Sequence, residues 1–362
     1  MKLFNNKHIL ITGHTGFKGS WLSAWLIQLG AKVIGISDEI PTDPAHYNFI
    51  KNGLYSDLRL DIKDARAVFS LINEVKPDYI FHLAAQPIVL DSYNDPLNTI
   101  NTNTIGTANL LDALRRVNHK CISIIITSDK CYYNDERTYG YLETDRLGGK
   151  DPYSASKGAA ELVIKTYVES FFSKSESNVS VGIGRAGNVI GGGDWAPHRI
   201  IPDCIRAWSK GNKAKIRNPR STRPWQHVLE PLSGYITLAI SLSQNSDLNG
   251  EAFNFGPPAD QDHTVEELVN ELINHWLAAG WTDKSKNNDS PHEAGLLKLN
   301  CDKALGTLAW KATLNFKETA RWTGEWYRTF YEKGPIEAAA LTMNQIKDYM
   351  ELAQARNSFK LD

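Results

Sequence analysis

The stretch Thr12-Gly-His-Thr-Gly-Phe-Lys-Gly-Ser20 decides the reading of the chain. A short apolar run, His8–Thr12, leads into it, and Trp21, Leu22, Trp25, Leu26 and Leu29 follow at helical spacing, with Gly30 read as the cap. Gly13, Gly16 and Gly19 thus stand as G-x-x-G-x-x-G between a strand and a helix. Glycine is required where backbone must turn sharply and approach a pyrophosphate whose charge rests on a helix N-terminus. In that context the pattern predicts a dinucleotide-binding turn, with His14, Phe17 and Lys18 as further candidate contacts. Lys18 is open to two readings, a phosphate contact or a solvated cation.

Outward from the turn the pattern alternates. Strands are expected at Lys32–Ile36, Asp57–Leu60, Tyr79–Leu83, Ile122–Thr127 and Val179–Gly184, with helical patterns near 63–75, 96–118 and 152–173 between them. Buried strands alternating with helices predict an α/β fold, a Rossmann-type doubly wound parallel sheet. After about residue 184 the rhythm breaks into Gly-, Pro- and Trp-rich segments, such as Gly191-Gly-Gly-Asp-Trp195, and a helical pattern closes the chain at roughly 335–356. The expected division is a dinucleotide-binding domain over 1–184, also receiving about 225–256, and a smaller, mostly helical substrate domain over 185–362.

Composition agrees with such an enzyme. The 362 residues carry 40 basic and 41 acidic side chains, a net charge of −1, which argues against a nucleic-acid groove. Apolar residues at 42% and charged residues at 22% describe a globular chain long enough for about two domains. The four cysteines are scattered, with no C-x-x-C pair, so neither a disulfide framework nor a metal site is indicated, and a reducing, cytoplasmic compartment is expected. The first apolar run is too short for a signal peptide, and no segment is apolar enough to span a membrane. Most of the ten tryptophans are expected in the core.

Asp151-Pro152 opens a helix that carries Tyr153 and Lys157 on one face. An ammonium there favours tyrosinate and lowers a pKa that is ~10 in isolation, which makes Tyr153 a usable base. Together with the glycine turn, Tyr153-Ser-Ala-Ser-Lys157 resembles the extended short-chain dehydrogenase/reductase family. Asp61-Ile62, His82-Leu-Ala-Ala-Gln86 and Asn103-Thr-Ile-Gly-Thr107 agree. The resemblance implies that Asp61, Ile62, Leu83, Ala84, Ala85, Asn103, Thr127, Tyr153 and Lys157 line the cofactor, and that Gln86 faces the substrate. It also implies a homodimer, or a dimer of dimers, through the helices near 96–118 and 152–173. Acids bind ribose hydroxyls after the second strand, whereas arginine favours a 2′-phosphate. Ser37-Asp38-Glu39 supplies acids with no arginine nearby, so NAD is the expected cofactor, with Ser37 and Asp38 as its contacts.

Thr127-Ser128-Asp129-Lys130 closes the fifth strand. An epimerase needs only Tyr, Lys and a hydroxyl residue such as Ser128. Oxidation at C4 followed by loss of the 6-hydroxyl also needs a base for the C5 proton and an acid for the leaving oxygen. Asp129 and Lys130 suit those tasks at a strand end where open α/β sheets place ligands, and the residues alone leave open which is acid and which base. Ser-Asp-Lys here resembles the branch of the family that dehydrates CDP-D-glucose, which implies Asp129 as acid and Lys130 as base. A lysine acting as base needs its ammonium destabilised, by burial or by a positive nicotinamide. Arg185-Ala-Gly-Asn-Val-Ile190, Arg217 to Val228 and His292 to Leu297 continue the match.

By the resemblance, Asn188 and Arg223 hold the nucleotide sugar, with Arg217 and His292. An arginine's fork of donors fits two phosphate oxygens at once. Arg220 reads rather as solvated, and Trp195 and Trp225 are left open between core and nucleotide pocket. The competing readings are a 4-epimerase, a dehydratase for another nucleotide sugar, and a dinucleotide-binding regulator without catalysis.

Overall fold

Seven parallel strands form the central sheet of the computed structural model, which describes residues 3–174, 177–258, 261–276, 280–285 and 296–359. They are β1 (His8–Thr12), β2 (Lys32–Ser37), β3 (Ser56–Arg59), β4 (Tyr79–His82), β5 (Cys121–Ile126), β6 (Val179–Ala186) and β7 (Ala252–Phe255), in the order β7-β6-β5-β4-β1-β2-β3. The chain winds outward from β1 in both directions, so the switch point lies between β1 and β4, where a ligand crevice opens at the strand ends. Ile9, Leu10, Ile11, Ile80, Phe81, Ile124 and Ile125 are buried because helices cover both faces, which is why these strands read as unbroken apolar runs. β7 comes from the second half and completes the sheet beside β6.

The helices that position the site are α1 (Phe17–Gln28), α2 (Ala65–Val75), α3 (Pro96–Ile100), α4 (Gly106–Leu114) and α5 (Pro152–Tyr167). The helical pattern expected over 96–118 is one helix interrupted by a π-helical turn, Asn101–Ile105, and α5 runs into a second, Val168–Phe172. Hydrophobic periodicity does not reveal such one-residue insertions. α1 ends at Gln28, and Gly30, at φ 83°, closes it as expected: its amide donates to the Ile27 carbonyl and the Ala31 amide to the Leu26 carbonyl.

The second half contributes α6 (Ile200–Trp208), α7 (Leu229–Gln244), α8 (Val265–Ile273), α9 (Phe316–Lys333) and α10 (Pro335–Arg356). Strands outside the main sheet have two or three residues each, so this half is mostly helical. Its last helices cover α1, which is buried on nearly every side and not on one stripe. Trp25 meets Tyr349 edge-on at 5.5 Å, and Trp21 stacks on His46 at 4.9 Å, with Trp326 beyond. Trp195 packs against Trp326 and Phe330, and the Trp225 indole donates to the His263 carbonyl at 3.0 Å; both are core residues.

Candidate active site

At the switch point the turns after β1 and β4 touch. Gly13 has φ 76°, and a β-carbon there would lie 2.7 Å from the Ala84 nitrogen; one on Gly19 would lie 2.1 Å from the Gly13 carbonyl oxygen. Only glycine permits this approach. The Ala84 amide donates to the Thr12 hydroxyl at 3.1 Å, and Leu83 donates to the Thr12 carbonyl at 3.0 Å, so Leu83, Ala84 and Ala85 run beside the turn. Gly16 precedes α1 with no side chain capping it, which leaves the helix N-terminus to a ligand.

His14 turns its side chain into the fold. Its ring is fully buried, with Nε2 2.8 Å from Asp57 and Nδ1 3.1 Å from the Ser37 hydroxyl, and burial lowers its pKa. Ser37, the expected ribose contact, is occupied by His14 and by the Thr15 amide at 3.4 Å. Asp38 remains at the exposed end of β2, accepting the Glu39 amide at 2.9 Å. The expectation of no arginine nearby fails for a topological reason. β3 lies parallel to β2, so Arg59 pairs with Ser37, although Asp57 and Tyr47 hold its guanidinium. Asp61 is half-buried and accepts the Lys63 amide, while Ile62 is buried.

Asn103 lies in the π-helical turn, where its side chain accepts the Gln86 amide at 2.8 Å and donates to the Ser156 hydroxyl at 2.9 Å. It braces the β4 loop against α5. The Gln86 side chain is engaged with the Ile88 amide and the Thr99 hydroxyl. The Thr127 hydroxyl also turns inward, donating to Glu161 at 2.5 Å.

The ends of β5 and α5 bring together the expected catalytic residues. Ser128 caps a one-turn helix, Asp129–Cys131; its hydroxyl accepts the Lys130 amide at 3.2 Å and donates to Asp129 Oδ1 at 2.9 Å. Burial raises the pKa of Asp129, against the opposing pull of Lys130, Ser128 and Lys18. Burial pushes the Tyr153 pKa up to about 12, against a lowering pull from the Ser128 hydroxyl. That corrects the expected lowering, because Lys157, 6.0 Å from the ring centroid, does not offset desolvation. Burial takes Lys157 down to about 8. Lys18, partly buried, is also taken to about 8, by burial and then by the charges of Lys157 and Arg199.

Arg199, which sequence reasoning missed, acts electrostatically on both Tyr153 and Lys18 and is held by Asp194 at 2.8 Å. Its only sequence signal was its place just after the Gly-rich Trp195 segment. Gly187 lies against the Asp129 carboxylate, where a β-carbon would be 3.0 Å from Oδ2. Asn188 follows it and accepts the Gln226 amide through its carbonyl. A narrow cleft adjoins, lined by Gly187, Pro224, Gln226, Asp262 and Lys298 among others. Arg223 precedes Pro224 in a short strand paired with His263–Thr264, whereas Arg217 is exposed beyond the strand Ala214–Ile216. His292 lies outside the described residues.

Comparison with known proteins places this arrangement. The family model described as GDP-mannose 4,6 dehydratase matches residues 10–323. The CDP-glucose 4,6-dehydratase of Salmonella typhimurium is 42% identical over 352 residues, 96% of this chain and 97% of that protein. The dTDP-glucose 4,6-dehydratase of Streptomyces antibioticus is 26% identical, over 89% of this chain and 92% of that protein. Among solved structures, a dTDP-glucose 4,6-dehydratase from Bacillus anthracis in complex with NAD aligns with TM-score 0.73 at 22% identity, covering 91% of this chain and 98% of that one. A UDP-glucuronic acid 4-epimerase from Bacillus cereus, in complex with UDP-glucuronic acid and NAD, aligns with TM-score 0.72 at 19% identity, covering 89% and 99%. The glycine turn, the Tyr153–Lys157 helix and a match that runs nearly end to end mean that the chain belongs to the GDP-mannose 4,6-dehydratase family of nucleotide-sugar epimerases and dehydratases.

Proposed function

We infer that the chain is an NAD-dependent 4,6-dehydratase that converts CDP-D-glucose into CDP-4-keto-6-deoxy-D-glucose and water. The observation that carries the reading is the buried Asp129 side chain, hydrogen-bonded to Ser128 and followed by Lys130, at the strand end beside Tyr153 of α5. An epimerase has no task for that acid. The nucleotide assignment is supported by 42% identity to the Salmonella typhimurium enzyme.

The residues fit NAD. Gly13, Gly16 and Gly19 leave room for a pyrophosphate at the uncapped N-terminus of α1, with Phe17 and Lys18 beside it, and Asp38 suits a ribose diol. Asp57 and Tyr47 engage Arg59. When bound, NAD supplies a hydride acceptor at C4 that later returns the hydride to C6. Tyr153, as tyrosinate, receives the 4-hydroxyl proton, and the Arg199 charge opposes the burial that raises its pKa. Lys130 takes the C5 proton, Asp129 gives its proton to the C6 oxygen, which leaves as water, and C5 is reprotonated as hydride reaches C6.

Arg223, Asn188 and Arg199 are proposed to hold the diphosphate and sugar beside the cleft, with Arg217 and His292 toward the nucleotide. In the same proposal the first half with 225–256 holds NAD and the remainder the nucleotide sugar. Leu97 and Leu162, 71% and 58% exposed on α3 and α5, support a homodimer through that face. The cytoplasm is the proposed compartment, supported by four free cysteines, and the product would enter deoxysugar synthesis for a bacterial surface polysaccharide such as O-antigen. Among the described residues no helix is long and apolar enough to cross a membrane.

The test is incubation with NAD and, separately, CDP-, dTDP-, UDP- and GDP-glucose, followed by the alkaline absorbance of a 4-keto product. Product from CDP-glucose at the highest kcat/KM supports the reading. A faster reaction with another nucleotide, or a C4 epimer as product, contradicts it.

A further inference from the structure

Beneath the site lies a buried ion pair to which the chemistry gives no step. Arg185, in β6, donates from Nε to Glu161 Oε1 and from Nη2 to Oε2, both at 2.8 Å; Glu161 and Arg185 are 2% and 4% exposed. A pair buried this deeply is weak evidence for stability, because hydrophobic residues of similar volume often serve as well. What distinguishes it is where its remaining bonds go. Glu161 Oε1 also accepts the Thr127 hydroxyl at 2.5 Å. Arg185 Nη1 donates to the Tyr132 hydroxyl at 2.8 Å and to the Glu143 carbonyl at 3.0 Å. The Tyr132 hydroxyl in turn donates to Asn254 of β7 at 2.7 Å. Thr127 and Tyr132 stand on either side of Ser128-Asp129-Lys130, so one ion pair grips both ends of that segment.

The same two residues continue into the rest of the site. Glu161 follows Tyr153 and Lys157 at four-residue intervals along one face of α5, and its charge raises the Lys157 pKa against burial. Two residues after Arg185, Gly187 contacts the Asp129 carboxylate. We propose that Glu161 and Arg185 are positioning residues that hold Asp129 and Lys130 at the angle elimination requires, through Thr127 and Tyr132. This deepens the dehydratase reading and rests on it. A side chain misplaced by about 1 Å loses about a hundredfold in rate, which is the scale at which such a clamp matters.

Removing either charge would leave the other buried and alone, so the test uses the tethers, in the full-length chain. Thr127→Val and Tyr132→Phe keep shape and leave the ion pair intact. Without NAD or substrate, each is expected to raise hydrogen exchange at the amides of 128–132 about tenfold while the β1 amides stay unchanged. With both bound, kcat for the 4-keto-6-deoxy product is expected to fall about ten- to a hundredfold, with KM for NAD within about twofold. Reduced nicotinamide absorbance accumulates, because oxidation continues while elimination stalls. Thr127→Ser, which restores the hydroxyl, recovers turnover. Variants that exchange and turn over like the wild type overturn the proposal. So does a loss of activity that tracks melting temperature, accumulates no reduced nicotinamide and is not recovered by serine. A wild-type chain that makes no 4-keto product overturns the dehydratase reading and the clamp with it.

Discussion

Ser128 stands beside two groups whose pKa values burial raises, Asp129 and Tyr153, and the proposed chemistry turns on that neighbourhood. In the proposed mechanism, losing Tyr153's phenol removes the proton acceptor at the 4-oxygen. Tyr153→Phe is therefore expected to lower kcat by at least about a thousandfold, while the melting temperature moves by less than about 2 °C, since the ring is kept. Asp129→Asn keeps the shape and removes the acid, so kcat is expected to fall about 10²- to 10⁴-fold, with bound nicotinamide still reduced on mixing with substrate. Stopped-flow absorbance and a thermal melt check both. A Tyr153→Phe variant with unchanged turnover contradicts the assignment. The grouping of these residues was legible because its spacing is local: Tyr153 and Lys157 share a helix, and Ser128, Asp129 and Lys130 are consecutive. The roles of His14, Asn103 and Thr127 were not, because Asp57, Ser156 and Glu161, to which they are bonded, come from elements far away in sequence.

α5 shows how an element delivers chemistry. Asp151 caps it, accepting the Ser154 amide at 2.9 Å and the Ser154 hydroxyl at 2.6 Å, and Pro152 occupies the first turn, so the start of the helix is fixed just before Tyr153. Asp151→Ala is expected to cost about 1 kcal/mol, read as a drop of about 1–2 °C in melting temperature. Turnover is expected to fall less than about tenfold, because the helix body still holds Tyr153 and Lys157. A loss as large as that of Tyr153→Phe would mean that Asp151 itself takes part in the reaction. The strands were readable from sequence since parallel strands covered on both faces appear as continuous apolar runs. The π-helical turns were not, because inserting one residue leaves the apolar period almost intact while turning Asn103 inward. α1 read as amphipathic because the residues that bury its outer side, Tyr349 and Phe359, lie more than three hundred positions away.

Over the whole molecule, burial has left several histidines neutral. His46 sits between Ser20 and Thr342, joining the two halves; His82 bridges Thr12 and Thr107; His227 lies against Trp21 and Trp322. Burial lowers each to about 3. A depressed histidine pKa stabilises the fold above the unfolded value, ~6.5, and that stability is lost as pH falls toward the folded value. At pH 5.5 each costs about 1.4 kcal/mol relative to neutral pH. Urea midpoints are therefore expected to fall between pH 7.5 and 5.5, and His46→Gln is expected to flatten that slope; a midpoint independent of pH would contradict it. The assembly of the two halves was legible only as a change of rhythm near residue 184, whereas the return of β7 to the first sheet places Asn254 beside Tyr132 and so ties the second half to the catalytic segment. The central claim is that hydride leaves C4 and returns to C6 of one sugar, with water lost between. CDP-D-glucose deuterated at C4, turned over with unlabelled NAD, tests it by NMR of the product. The account predicts one deuterium in the C6 methyl group of a 4-keto sugar; deuterium remaining at C4 of an epimerised sugar would contradict it.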